Sequence, residues 1–403
     1  MTVDKIVIAS DSFKGCLSSL EVADAVADGV RAVMPDAEIV KVAVADGGEG
    51  TYDALASALG ARRIECRACD PLMRPRTAAY GITADGTTAV MEMAAASGLT
   101  LLAADERNPL VATTYGFGEM IADALDRGCR RFLLGLGGSA TNDGATGALA
   151  ALGFRFLDSR GAVLGHGGRI LESIAAVDSS GADPRLGEAQ FCIACDVTSP
   201  FTGQHGAARV FAPQKGANEA TVERLERGMK SFAELIRRSC GIDLDATPGA
   251  GAAGGLGGGL AAFLGAELKP GAPAILDEIG FDDIIAGASL IITGEGSLDS
   301  QTLMGKTPAG ILQRGKRQGI PVIALGGRVS EREQLLTAGF TAVVAVTPAA
   351  MPLTLALQPL TARTNITHAV QAIADFSDNS DNSEVKQKFL SLLRASARPI
   401  KVY

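Results

Sequence analysis

The residues best suited to chemistry in this chain stand just after short apolar runs. Asp11, Ser12, Lys14 and Gly15 follow Ile6-Val7-Ile8-Ala9, and Asp46, Gly47, Gly48 and Glu49 follow Val40-Lys41-Val42-Ala43-Val44-Ala45. After Leu290-Ile291-Ile292 come Thr293, Gly294, Glu295 and Gly296, then Asp299, Gln301, Thr302, Gly305 and Lys306. Gly326 and Gly327 follow Val322-Ile323-Ala324-Leu325. If these runs are parallel strands, their carboxyl ends share one edge, the edge on which open α/β sheets bind ligands. Four such loops would set carboxylates, lysines and glycine backbone around one cleft. The loop after Asp11 also precedes a helix start, where backbone N–H groups favour anions.

The middle of the chain carries a second group. Gly135-Leu136-Gly137-Gly138-Ser139-Ala140-Thr141-Asn142-Asp143-Gly144 follows Phe132-Leu133-Leu134. Its glycines let backbone approach a phosphate, its hydroxyls donate, and Asp143 suits Mg²⁺. Asp196-Val197-Thr198 and Gln214-Lys215-Gly216 lie further on.

Several familiar chemistries fail on spacing. Gly249-Ala250-Gly251-Ala252-Ala253-Gly254 matches the dinucleotide fingerprint literally, but Pro248 stands where a strand should end. The cluster is read as a phosphate-cradling or closely packed loop that opens a helix. Gly305-Lys306-Thr307 resembles the end of a phosphate-binding P-loop, yet Ser300 occupies the first glycine's position and Pro308 follows directly. Lys306 still serves as a point charge on phosphate. No Gly-x-Ser-x-Gly elbow occurs, and His166, His205 and His368 have no nucleophile beside them in sequence. Carboxylates, lysines and glycine loops without a nucleophile–histidine pair suit phosphoryl transfer, which needs mainly positioning and charge.

The elements that must position these groups follow from periodicity. The first 70 residues read as β-α-β-α-β, with Ser18-x-x-Glu21 as a capping box. The same rhythm returns after residue 290, with strands at 290–293, 321–325 and 342–346 and helices at 308–318 and 365–376. Ser330-x-x-Glu333 reads as a second capping box. Between them, alternations at 77–83 and 87–93 predict a mixed or antiparallel sheet. The expected fold is α/β. Residues 1–71 and 286–376 would form one discontinuous, flavodoxin-like doubly wound parallel sheet, and 72–285 an inserted glycine-rich α/β domain of mixed sheet. Chain crossings are expected near Asp70-Pro71 and 279–288. Residues 377–403 read as a polar linker and a short helix.

Composition narrows the class. The chain has 403 residues, 47% of them hydrophobic and 49 of them glycine, which is a globular composition rich in tight turns. Lys+Arg 37 against Asp+Glu 45 gives a net charge of −8 with no basic run, and tryptophan is absent, so neither nucleic acid nor an anionic membrane is an expected partner. The charge-poor stretches 246–266 and 339–362 are broken by glycine or proline and are not expected to span a membrane. Seven cysteines and no visible targeting segment point to a reduced, cytoplasmic protein. The pairs Cys66/Cys69 and Cys192/Cys195 sit in strand-like runs rather than zinc-binding spacings.

Taken jointly, the motifs resemble the type I glycerate kinases of bacteria. The stretches are residues 11–15 (DSFKG), 45–51 (ADGGEGT), 137–144 (GGSATNDG), 214–217 (QKGA), 249–257 (GAGAAGGLG) and 293–302 (TGEGSLDSQT) with Gly305-Lys306. They occur in the family's order across roughly residues 3–375. Ser10, Cys16 and Ser199 depart from the family's pattern, which has Pro, Ser or Thr, and Asn there. The resemblance implies a split flavodoxin-like domain and ATP- and Mg²⁺-dependent phosphorylation of D-glycerate, usually to 2-phosphoglycerate. Phosphorylation at C3, or of another small hydroxy acid, is the alternative; a nicotinamide-dependent oxidoreductase built on 249–254 is a remote one. A homo-oligomer is compatible with the sequence.

The expected site follows. Lys306, Asp196, Lys14 and Lys215 are assigned to catalysis. Gly137, Gly138, Ser139, Thr141, Asn142, Gly251, Gly254, Gly255, Gly294 and Gly296 are assigned to nucleotide or phosphate. Asp11, Ser12, Asp46, Gly47, Gly48, Glu49 and Gln301 are assigned to substrate, and Asp143 and Glu295 to metal, with Asp46 and Asp196 as further metal candidates.

Overall fold

The computed structural model describes residues 4–48 and 50–374. Its strands are β1 (Lys5–Ser10), β2 (Glu38–Ala43), β3 (Arg62–Cys69), β4 (Pro75–Ile82), β5 (Thr88–Glu92), β6 (Arg131–Gly135), β7 (Arg155–Leu157), β8 (Ala176–Asp178), β9 (Gln190–Ala194), β10 (Glu267–Lys269), β11 (Leu290–Leu298), β12 (Val322–Val329) and β13 (Ala342–Ala345). The chain divides into two compact units. Described residues up to 46, 53–58 and from 272 onward form unit 1, and 47–52 with 59–271 form unit 2.

Unit 1 is built on a five-stranded sheet of order β13-β12-β11-β1-β2, parallel throughout. This is the flavodoxin-like order, with the first two strands on one side of a switch point and the last three on the other. Ile6, Val7, Ile8 and Ala9 are wholly buried, because helices cover both faces of the sheet and leave no polar side to alternate with. On one face, Ile8, Ile292, Leu325 and Val344 pack with helices Ser19–Val33 and Pro359–Ala374. Those helices approach so closely that a Cβ at Gly29 would fall 2.7 Å from that of Val370. On the other, helix Thr307–Arg317 turns Gly315 toward Val322 and Ile291.

The N-terminal capping box forms as the sequence predicts. Ser18 Oγ accepts from the Glu21 N–H, and the Glu21 carboxylate accepts from the Ser18 N–H. The second box does not. The Ser330 N–H donates to Leu298 O and prolongs the sheet, so Glu331, in the left-handed region, stands at the N-cap of helix Arg332–Ala338 with no side-chain cap bond, its carboxylate accepting from the Ser300 N–H. The last helix also begins earlier than expected, at Pro359, a residue suited to a first helical turn.

Unit 2 carries a six-stranded mixed sheet of order β10-β9-β6-β5-β4-β3, antiparallel among β3, β4 and β5 and parallel from β5 to β10. β7 and β8 form a separate antiparallel pair. Tyr80, Met91, Phe117, Phe132 and Phe232 anchor the core. β3, expected to close the first domain, pairs instead with β4 along its whole length. The reason lies in its pattern: Arg63, Glu65 and Arg67 alternate with Ile64, Cys66 and Ala68, which is a half-buried antiparallel strand at an edge. The units therefore divide earlier than the expected 71/72 and 285/286: unit 2 takes 47–52 and then everything from 59, and unit 1 resumes at 272, since helix Gly271–Glu278 places Ala272 and Leu276 against Gly310 of unit 1. The expected linker and helix at 377–403 lie outside the described residues.

Candidate active site

The carboxyl ends of the unit 1 strands surround a cleft of about 790 Å³. The loop after β1 supplies Asp11, Ser12 and Lys14, β11 supplies Glu295, Gly296 and Ser297, and Lys306 stands at the start of helix Thr307–Arg317. The β1 loop is tied to β11 where the Asp11 N–H donates to Gly294 O at 2.9 Å.

Asp11 is almost wholly buried. Its carboxylate accepts from the Ser12 N–H at 2.6 Å and the Thr307 hydroxyl at 3.2 Å. Burial and the nearby Asp46 carboxylate push Asp11 up to about 6, against the pull of those donors and of Lys14. The Lys14 ammonium lies 3.3 Å from Asp46 Oδ2. Partial burial draws Lys14 down, but Asp46 and Asp11 outweigh it and the net shift is upward. Glu295 makes the matching pair with Lys306, Oε2 to Nζ at 3.3 Å, while its Oε1 accepts from the Thr302 hydroxyl at 2.6 Å. Burial raises Glu295 despite both partners. Two lysine–carboxylate pairs thus flank a buried, incompletely compensated carboxyl.

In unit 2 the loop after β6 is held by a different device. Lys215 is 1% exposed, and its ammonium donates at 2.6 Å to both Ser139 Oγ and Thr141 O. Burial draws Lys215 down to about 7, with Asp143 acting the other way. Asp143 is wholly buried. Its Oδ2 accepts from the Thr113 and Thr114 hydroxyls and from the N–H groups of Thr114 and Gly147.

These contacts bear on several expected roles. Asp143, expected to hold metal, has its carboxylate already surrounded by protein donors. Lys215, expected on the phosphate or the glycerate carboxylate, is buried with its ammonium bonded to Ser139 and Thr141. Gly251, Gly254 and Gly255 are closely packed: Cβ atoms there would stand 2.2 Å from Pro200 O, 2.1 Å from Thr141 O and 2.6 Å from the Phe201 ring. Gly254 lets the left-handed kink at 253–255 close onto the Thr141–Asn142 backbone, while Gly251 and Gly255 give room to Pro200 and Phe201. Gly294 likewise serves packing, with its Cβ position 2.4 Å from Leu325 O, whereas a Cβ at Gly296 would make only ordinary contact, 3.7 Å from Lys14 N.

Of the other expected residues, Gly137 is half-buried and Gly138 is exposed at φ +72°. The Asn142 amide donates to Met229 Sδ, and its Oδ1, like Thr141 Oγ1, is buried without a partner among the described residues. Asp196 is exposed and accepts from the Gly271 N–H at 2.8 Å. Gly48 O accepts from the Thr51 hydroxyl, and Gly47, at φ +89°, passes Ala194 too closely to admit a Cβ. Gln301 is exposed in the turn Ser300–Met304. Glu49 lies outside the described residues. Sequence reasoning missed Arg328 and the cleft wall formed by Val346, Met351, Leu353 and Leu357. The signal for the wall was present only as a charge-poor, proline-broken stretch.

A divalent cation can be tested against this donor set. No cluster of three or more potential ligand side chains occurs among the described residues. Mg²⁺, however, takes one or two protein carboxylates and completes its shell with phosphate and water. Asp11, raised by burial and by the nearby Asp46 carboxylate, together with Asp46 or Glu295, fits that demand.

Comparisons with known proteins point to one family. The profile of the glycerate kinase family matches residues 6–378. The chain is 46% identical over 350 residues to a glycerate kinase of Bacillus subtilis (strain 168), covering 87% of this chain and 92% of that protein. It is 46% identical over 327 residues to the glycerate 2-kinase of Escherichia coli (strain K12), covering 81% and 86%. A crystal structure assigned as glycerate kinase 2 from Salmonella typhimurium LT2 superposes with a TM-score of 0.83 at 42% identity, covering 93% of this chain and 98% of that one. By sequence along nearly its whole length and by fold, this chain belongs to the glycerate kinase family.

Proposed function

We propose that this protein transfers the γ-phosphoryl group of ATP to the C2 hydroxyl of D-glycerate, releasing ADP and 2-phosphoglycerate. The observation that carries the reading is the cleft in unit 1, where Lys14, Lys306, Asp11 and Glu295 converge at the strand ends in a chain of the glycerate kinase family. The name of the Escherichia coli relative, glycerate 2-kinase, favours C2 over C3.

The chemistry asks little covalent work of the protein. The bond from the C2 oxygen to phosphorus forms as the bond from phosphorus to the ADP oxygen breaks, and the hydroxyl proton passes to a base. Lys306 and Lys14 supply positive charge where the phosphates carry negative charge, and the carboxylates that pair with them hold both ammonium groups in place before substrate arrives. The helix beginning at Thr307 adds its positive end to the same side. Asp11 with Asp46 or Glu295 would hold Mg²⁺, which when bound neutralises phosphate oxygens. Free cysteines throughout suit a reducing, cytoplasmic setting.

The test is turnover. ADP release should require ATP, Mg²⁺ and D-glycerate together, and purified enolase should consume the product directly. A product that enolase accepts only after a mutase is added would move the phosphate to C3; no release of ADP with D-glycerate would overturn the kinase reading.

A further inference from the structure

We infer that unit 1 by itself provides the nucleotide site, with the base against the wall formed by Val346, Met351, Leu353 and Leu357 and the polyphosphate turned toward Arg328 and Lys306. This rests on the kinase reading above and assigns one of its two substrates to a place.

Size argues first. A cleft of about 790 Å³ lies in the range of sites for drug- and cofactor-sized molecules, ~300–1,000 Å³. Glycerate, a three-carbon acid, would leave most of it empty. Character argues next. One side of the cleft is charged and consists of strand ends; the other, from Ala345 to Leu357, is apolar. A small hydroxy acid has nothing to place on an apolar wall, whereas a nucleotide has both a planar, weakly polar base and a highly charged tail.

Two local features sharpen the assignment. The first is unused apolar surface. Leu353 is 71% exposed and Leu357 43%, and the short helix Leu353–Ala356 buries only Ala356. Exposed apolar side chains that continue the apolar wall of a cleft form the kind of contiguous patch that marks a ligand contact. The second is an unused cation. Lys14 and Lys306 are each paired with a carboxylate, but Arg328, exposed on β12 and lining the same cleft, makes no ion pair with any described residue. Its planar guanidinium offers two parallel N–H groups, which matches a phosphate better than a single ammonium does.

The experiment locates the nucleotide and measures its affinity without relying on turnover. The protein is irradiated with 8-azido-ADP and Mg²⁺, and labelled peptides are mapped. In parallel, the Kd of a fluorescent N-methylanthraniloyl-ADP is measured for the protein, Leu353→Asp and Arg328→Met. Label within residues 345–357 and a Kd raised at least ~10-fold in each variant are expected, with the KM for D-glycerate moving much less than that for ATP. Label confined to residues 59–271, or an unchanged Kd in both variants, overturns the inference even if the protein phosphorylates glycerate. Label at 345–357 in a protein that does not turn over D-glycerate would uphold the site and sink the kinase reading instead.

Discussion

Lys306 and Asp11 concentrate the chemistry of the cleft, and each makes a separate prediction. Lys306 is held by Glu295 before any ligand is present, so its charge is preorganised rather than recruited. Lys306→Met should lower kcat by at least ~10²-fold, the scale for losing one such partner, with the circular dichroism spectrum unchanged. Asp11 carries a pH signature. If the ionised form is the working form, kcat/KM should fall as pH drops through about 6, and Asp46→Asn should move that limb part of the way down, since burial, the larger cause of the rise, remains. Stability runs the other way. The folded pKa of Asp11 lies above its ordinary 3.8, so the folded state binds the proton more tightly and stability declines as pH rises from about 4 to 6. Asp11→Asn should remove both the kinetic limb and that part of the decline; a rate profile with the same limb in Asp11→Asn would assign it to another group.

At the scale of elements, the question is what the glycine-rich stretches are for. Gly254 and Gly265 both have positive φ, +70° and +65°, so alanine is strained at either. Only Gly254 is also crowded. Gly265→Ala should cost about 1 kcal/mol, the backbone cost alone. Gly254→Ala should cost at least about 3 kcal/mol, because overpacking against Thr141 O is added to it. Urea midpoints compare the two directly. Lys215 belongs to the same region. Its folded pKa is drawn down to about 7, so the unfolded state binds more protons between there and 10.5 and stability should rise with pH across that window. In Lys215→Met the slope of Tm against pH should flatten over that window.

Periodicity made some of these elements legible and left others hidden. Continuous apolar runs announced β1, β11 and β12, since a strand covered on both faces has no other pattern available. The Ser18–Glu21 box was local and formed. The Ser330–Glu333 box was equally good locally and lost, because Ser330 N–H had a sheet partner at Leu298 that no neighbouring residue reveals. The same limit applies to the site: Asp11, Lys14, Glu295 and Lys306 could be found from type and position, whereas the saturation of Asp143 depends on Thr113 and Thr114, some thirty residues away. Arg328 carried no motif at all.

Over the whole molecule, the two units make unequal demands on the chain. Unit 2 is nearly contiguous, and its sheet uses only strands between residues 62 and 269. The unit 1 sheet joins chain ends: Ile6 pairs with Leu290 and Ile8 with Ile292, so β1, beside β2 on one side, stays without its other neighbour until the chain has passed β11. Contacts of that sequence separation form late and slowly. Residues 59–271 alone should therefore unfold in one cooperative calorimetric transition. A chain ending at residue 270 should keep that transition but lose unit 1. Its β1, apolar on both faces and lacking both β11 and the helix Pro359–Ala374, has no core to enter. Limited proteolysis should then cut the truncated chain within residues 1–58 and spare 59–270, while the full chain resists at both places. Protection of residues 1–58 in the truncated chain would mean that β1, β2 and helix Ser19–Val33 fold without the C-terminal strands, and that the late-joining order is wrong.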